Sequence, residues 1–183
     1  QNKDFLKIIP QHHSIPVMDH EVCRALSMIP SNAIILDVGG GIGWHWRHLY
    51  RDRPDISIVI LDFIRSNLLR TKGFLEKMIN HQIFLVHGDA TQLPFPDNSF
   101  ELYWSVQALQ HVPSFEAAIH QAHRVLKLDG VFLNYSLNRA GLYEMVYRFF
   151  GKKYHVKGKI PGLFYLARGS NSQRDKIASV FGT

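Results

Sequence analysis

A carboxylate followed by three glycines at alternate positions is the part of this sequence best suited to chemistry. Asp37 ends an apolar, β-branched run, and Gly39, Gly41 and Gly43 follow it. Such a run is typical of a buried strand, and the glycines allow a tight turn in which a ligand lies against the backbone. We expect a helix to begin at about Trp44 and to direct its free N–H groups at that ligand. The pattern predicts a site for a nucleotide-like molecule.

The spacing of the glycines separates two classes of nucleotide cofactor. A dinucleotide fingerprint reads Gly-x-Gly-x-x-Gly or Ala, and its last position, counted from Gly39, is occupied here by Trp44. The carboxylate of Asp37 also disfavours an anionic pyrophosphate and favours a ligand with a cationic amino group. A glycine-rich loop alone is equally compatible with a strand–helix turn that binds nothing.

Further apolar runs predict strands, and two of them end close to acids. Residues 57–61 lead to Asp62, and residues 83–87 lead to Gly88 and Asp89. A carboxylate at the tip of the second strand can accept hydrogen bonds from both hydroxyls of a ribose, and Asp89 can accept one from the amine of an adenine. The other predicted elements are strands at 101–105 and 131–135 and helices at 17–29 and 114–127. This alternation favours an α/β fold, a parallel sheet with helices on both faces.

The chain resembles the class I S-adenosylmethionine-dependent methyltransferases, and most closely the group that includes quinone-biosynthesis and other small-molecule methyltransferases. The segments that carry the resemblance are 36–43, Asp62, 88–90, 98–101, 107–112 and 124–130. The resemblance covers residues 34 to about 136. It implies a Rossmann-like doubly wound sheet with strand order 3-2-1-4-5, S-adenosylmethionine as cofactor and S-adenosylhomocysteine as product. The sixth and seventh strands of that family have no counterpart in the sequence, so we expect an incomplete domain.

The resemblance also implies which residues hold the cofactor. Asp37 and the three glycines would hold its methionine end, and Ser105 would lie near the sulfonium or the carboxylate. The residues implied for the adenosine end are Asp62 at the ribose hydroxyls, Phe63 against the adenine face, and Asp89 and Ala90 along the adenine pocket. The aromatic segment 44–46 is a departure from the family pattern that would narrow the mouth of the pocket.

Each of these polar residues also has a purely structural interpretation. Asp37 and Asp62 could cap the helices that follow them, because aspartate is a favoured N-cap residue. Asp89 could be a turn residue, and Ser105 could end its strand without contacting any ligand.

The implied reaction is methyl transfer to a small-molecule acceptor by in-line displacement, which needs positioning and a dry site more than acid–base groups. We therefore expect neither a catalytic triad nor a metal site. His120 and His123 are three residues apart without a ligand partner at a suitable spacing. If the acceptor is a hydroxyl, the candidate bases are His12, His13 and His111, although His111 also fits a packed, hydrogen-bonded position.

Composition and charge place limits on organisation and partners. The 183 residues are 46% hydrophobic, which fits one globular domain. The lone Cys23 fits a reducing compartment, so we expect a cytoplasmic protein. No apolar run approaches the roughly 20 residues that span a bilayer.

Residues 139–183 contain 9 Lys and Arg against 2 Asp and Glu, with a dense basic run at 152–159. The basic segment indicates an anionic or lipid-like acceptor or peripheral membrane contact, or simply a solvated loop.

We expect a single domain over 1–183, with an N-terminal cover at 1–33, a cofactor-binding core at 34–136 and a basic cap at 139–183. The sequence argues against nucleic acid as a substrate. The fourth strand is not followed by the Asn/Asp-Pro-Pro-aromatic loop of base-flipping methylases or by a cysteine. Two other functions stay open: a nicotinamide-dependent oxidoreductase, and a non-catalytic methyltransferase-like binding subunit.

Overall fold

Five parallel strands form one sheet in the order β3-β2-β1-β4-β5. The computed structural model describes residues 15–135 and 171–182. The strands are β1 (Ile34–Val38), β2 (Ser57–Asp62), β3 (Ile83–His87), β4 (Phe100–Val106) and β5 (Leu126–Tyr135). In the central strand, Asp37 lies between Ile60 of β2 and Trp104 of β4. The predicted α/β class and strand order are confirmed.

The helices contribute apolar side chains to core clusters on both faces of the sheet. The α-helices are α1 (Ile15–Met28), α2 (Leu49–Asp52), α3 (Arg65–Phe74), α4 (Phe115–Val125) and α5 (Asn171–Phe181), and 3-10 turns cover Trp44–Trp46, Glu76–Met78 and Leu109–His111. One core cluster joins α1 and α3 to Ile35 and Trp104. The other joins α4 and α5 to Leu36 and Tyr103 on the opposite face. Within the described residues, none of the helices has both the length and the hydropathy for a bilayer crossing.

The helix predicted to begin at Trp44 is absent, and that prediction is wrong. A 3-10 turn of three residues and the four-residue α2 take its place. The aromatic side chains explain the break, because Trp46 is fully buried and Trp44 stacks on Phe74 with the ring centroids 5.3 Å apart. Pro54 then follows α2 and helps to end it. The glycine turn therefore has no long helix dipole directed at it.

The fifth strand begins earlier than the sequence indicated. Phe100 of β4 pairs with Leu126 of β5, but Leu102 pairs with Val131. The register between the two strands therefore shifts by three residues at this point. The turn predicted around Gly130 is thus a bulge within β5. A Cβ on Gly130 would lie 2.8 Å from the carbonyl oxygen of Lys127, which explains the glycine.

Candidate functional site

The turn after β1 depends on left-handed backbone at all three predicted glycines. The φ angles are 74° at Gly39, 59° at Gly41 and 70° at Gly43, a region that other residues enter at a cost. The main-chain N–H of Gly39 donates to the carbonyl of Leu61 on β2 at 2.7 Å, and that of Gly43 donates to Gly40 at 2.9 Å. The turn is therefore bonded both to itself and to the neighbouring strand.

The three glycines differ in what surrounds them. A Cβ on Gly39 would lie 2.1 Å from the Cβ of Ala108, and one on Gly43 would lie 2.7 Å from the side chain of Leu75. A Cβ on Gly41 would meet nothing within 4 Å. The missing side chains at positions 39 and 43 thus admit other parts of the protein, and only Gly41 faces open space.

Asp62, at the end of β2, connects the turn to α3. Its Oδ1 accepts a hydrogen bond from the main-chain N–H of Ile64 at 2.7 Å, and its Oδ2 accepts one from Gly41 at 3.0 Å. The amide nitrogen of Asn67 lies 3.3 Å from both oxygens. The hydroxyl of Thr71, one helical turn later, donates to the carbonyl of Gly41 at 2.7 Å. The carboxylate and the turn are consequently held in one network.

Asp37 lies beneath the turn and is 2% exposed. Its Oδ2 accepts a hydrogen bond from the indole N–H of Trp46 at 2.7 Å. Burial raises the pKa of Asp37 to about 7, and the nearby charge of Asp62 raises it further, whereas the bond from Trp46 acts in the opposite direction. The sequence places this acid next to the glycine turn but does not reveal that its side chain is buried.

A cavity of about 550 Å³ opens at the carboxyl edge of the sheet. It lies between the ends of β1, β2 and β3 and the segment 107–113 that follows β4. Among the described residues that line it, Asp62 and Asp89 are the acidic ones, and none is a lysine or an arginine. Negative walls favour a ligand that donates hydrogen bonds, such as a ribose or an amine, over one that carries phosphates.

The predicted site residues divide into those at the cavity and those away from it. The lining includes Gly39, Asp62, Phe63, Asp89, Ala90 and His111. The lining does not include Asp37, Gly41, Gly43 or Ser105. His12 and His13 lie outside the described residues. The aromatic segment 44–46 is not part of the lining either, so its predicted effect on the mouth of this cavity is not seen.

Three of these residues, Phe63, Asp89 and Ser105, differ in their exposure and in their hydrogen-bond partners. Phe63 is 70% exposed, and its carbonyl lies 2.9 Å from Nε2 of His87. Asp89 has the contacts of a turn residue, which was its purely structural interpretation. Its Oδ1 accepts hydrogen bonds from both the N–H and the hydroxyl of Thr91, each at 2.8 Å. Ser105 is fully buried, and its hydroxyl donates to the carbonyl of Val38 at 2.9 Å.

Several lining residues were not anticipated from the sequence. They include Ile64, Asn67, Gln107, Leu109, Val112 and Pro113. Gln107 has a φ of 53° and donates its N–H to the carbonyl of Tyr135 at 2.6 Å. A non-glycine residue in this conformation often lies at a functional site. Residue 107 begins one of the segments that carry the resemblance, but the resemblance implies no site role for it.

Comparison with known proteins gives a consistent result. The family model described as "Methyltransferase domain" matches residues 36–134. Sterol 24-C-methyltransferase of Aspergillus fumigatus is 30% identical over 72% of this chain and 33% of its own length. Malonyl-[acyl-carrier protein] O-methyltransferase of Buchnera aphidicola is 35% identical over 62% of this chain and 43% of its own length. The chain thus spans less than half the length of these two curated relatives.

A solved structure with the same fold has a different chemistry in its name. The [4+2]-cyclase SpnF is 25% identical, with a TM-score of 0.60 over 66% of this chain and 45% of the cyclase chain. The scaffold is therefore not restricted to one reaction, and fold alone does not assign the activity.

Proposed function

Because the chain belongs to the class I S-adenosylmethionine-dependent methyltransferases, we propose that its cavity binds S-adenosylmethionine and that the protein transfers the methyl group to a small-molecule acceptor. The observation that carries the proposal is the placement of Asp62. Its carboxylate lines the cavity at the tip of β2 and is oriented by two main-chain N–H groups. A carboxylate fixed in this way is suited to accept hydrogen bonds from a ribose diol.

The adenosine end of the cofactor is assigned to the cavity. Asp62 binds the ribose hydroxyls, and the exposed ring of Phe63 lies against the adenine. Asp89 and Ala90 form another part of the cavity wall, where the second oxygen of Asp89 accepts a hydrogen bond from the adenine amine. The glycine spacing supports this assignment over a nicotinamide dinucleotide, because Trp44 stands where the dinucleotide fingerprint has a small residue.

The methionine end is assigned to the glycine turn. Gly39 borders the cavity and Gly41 faces open space, so the backbone there is accessible to a ligand. Asp37 lies below the turn, so its carboxyl group acts on the cationic amino group of the ligand through the turn and without direct contact, and its negative charge increases as the pH rises past about 7. Ser105 contributes indirectly to the same subsite, because its hydroxyl donates to the carbonyl of Val38 and so holds the end of β1 that leads into the turn.

The chain's own contribution to the reaction is mostly alignment. When bound, S-adenosylmethionine supplies a methyl carbon on a positively charged sulfur, and the acceptor's electron pair forms the new bond as the carbon–sulfur bond breaks. Orientation of two reactants in a site without water contributes about 7–11 kcal/mol. If the acceptor is a hydroxyl, His111 is the described candidate to take its proton, because it lines the same cavity.

The proposed acceptor is anionic or lipid-like. The names of the two curated relatives, a sterol methyltransferase and a malonyl-[acyl-carrier protein] methyltransferase, support these two chemistries. The basic run at 152–159, which also suggested them, lies outside the described residues. We place the protein in the cytoplasm on the basis of its single cysteine, Cys23.

A direct test combines binding with turnover. Calorimetry should detect S-adenosylhomocysteine and not NADH, and methyl-labelled S-adenosylmethionine should label a sterol or an acyl thioester. Binding of the cofactor product with no labelling of any acceptor would favour the non-catalytic subunit. Strong binding of NADH would favour an oxidoreductase.

Replacing Asp62 by alanine should weaken the binding of S-adenosylhomocysteine by about 1–3 kcal/mol, because the ribose hydroxyls lose a charged acceptor. The measurement is titration calorimetry of the wild type and the variant. Asp129→Ala is the matched control, since this acid is exposed at the start of β5. Equal affinities in wild type and Asp62→Ala would contradict the assignment of the ribose site.

A further inference from the structure

The carboxylate of Asp62 has its full set of hydrogen-bond donors within the chain. A carboxylate offers about four lone-pair positions. Two of them accept from the main-chain N–H groups of Ile64 and Gly41, at 2.7 and 3.0 Å. The amide nitrogen of Asn67 reaches both oxygens at 3.3 Å. A ribose diol that binds this carboxylate must therefore take a place that another donor holds.

The donors differ in how readily they can give way. The N–H groups of Ile64 and Gly41 are fixed by the backbone at the start of α3 and in the glycine turn. Asn67 contributes a side chain, its two contacts are the longest of the four, and it lines the cavity beside Asp62. Long, shared hydrogen bonds are the weaker ones, so Asn67 is the donor that a ligand would displace.

We propose that Asn67 is a positioning residue that occupies the ribose subsite and is exchanged for the ribose hydroxyls when the cofactor binds. Its amide keeps the nearly buried Asp62 satisfied, which avoids the cost of an unpaired carboxylate. The two main-chain donors keep the carboxylate oriented during the exchange. Asn67 therefore lowers the affinity for ligands that carry a ribose diol. This inference rests on the assignment of Asp62 to the ribose.

The test is the variant Asn67→Ala, studied in the full chain by titration calorimetry. S-adenosylhomocysteine and adenosine should bind about two- to tenfold more tightly than to wild type, because one competing hydrogen-bond donor is removed. The probe 2′,3′-dideoxyadenosine has no diol to exchange with the amide, so its affinity should be unchanged. Ser66→Ala, on the adjacent exposed position of α3, is the control and should change neither affinity.

Alanine is a better helix former than asparagine, so thermal unfolding should show that Asn67→Ala is folded. Weaker binding of S-adenosylhomocysteine by this variant would overturn the inference, since Asn67 would then be a direct contact. Equal changes for adenosine and its dideoxy analogue would overturn it as well. If wild type itself fails to bind S-adenosylhomocysteine, the proposed function falls and the inference falls with it.

Discussion

Replacing Gly39 by alanine is expected to destabilise the fold by about 2–5 kcal/mol and to abolish cofactor binding. The backbone at Gly39 has a φ of 74°, which costs an L-residue about 1–2 kcal/mol. The added Cβ would also lie 2.1 Å from the Cβ of Ala108, an overlap that one of the two segments must relieve by moving. Urea unfolding and titration with S-adenosylhomocysteine measure the two effects.

The chain offers graded controls for this prediction. Gly41→Ala shares the positive φ but meets nothing, so it should cost only about 1–2 kcal/mol. Gly73→Ala, in α3, meets nothing and should be neutral or stabilising by up to about 1 kcal/mol. Ala108→Gly should partly rescue the Gly39→Ala variant, since it removes the overlapping atom. Equal losses for the variants at positions 39 and 41 would contradict the role given to Ala108.

Replacing Asp37 by asparagine is expected to stabilise the protein near neutral pH, by an amount that grows as the pH rises. Burial raises the pKa of Asp37 to about 7, against about 3.9 for an unperturbed aspartate. Between these values the folded state binds the proton and the unfolded state does not. The contribution of Asp37 to the free energy of unfolding therefore falls from pH 4 to pH 7, by an amount on the order of 4 kcal/mol. An amide at this position carries no charge and can still accept the bond from Trp46.

The wild-type pH profile alone would conceal this effect, because a second, partly buried group acts in the opposite direction. Burial lowers the pKa of His45 to about 4, so between about pH 4 and 6.5 the unfolded state binds the extra proton and stability rises with pH. The informative quantity is the difference in unfolding free energy between Asp37→Asn and wild type, measured with urea from pH 4 to 8. A difference that is constant across this range would show that Asp37 ionises as it does in water.

The five strands and their carboxyl-terminal ends could be predicted from the sequence, but the early start of β5 could not. Apolar, β-branched runs fix where parallel strands lie, and the acids at the ends of β1 and β2 follow from their place after those runs. Asp62 and Asp89 both reach the cavity, since the carboxyl ends of parallel strands meet at one edge. The contribution of each predicted site residue to cofactor binding stays a prediction.

Features that depend on distant partners could not be predicted. The segment 44–46 forms no α-helix because its aromatic rings pack against distant residues. Trp44 stacks on Phe74, and Trp46 contacts Trp104. Asn67 looks like an ordinary residue in the first turn of a helix, and only its contact with Asp62 gives it a role. Local periodicity contains no information on such tertiary contacts.

The contact between Gly39 and Ala108 also limits how this sequence can change over generations. The two positions are 69 residues apart, yet the space at the first is taken by the methyl group of the second. A side chain gained at position 39 is expected to disturb the turn less in a lineage where position 108 has already become glycine. The effect of a substitution at one position on stability thus depends on the residue at the other, and the order in which the two change decides how stable the intermediate sequence is.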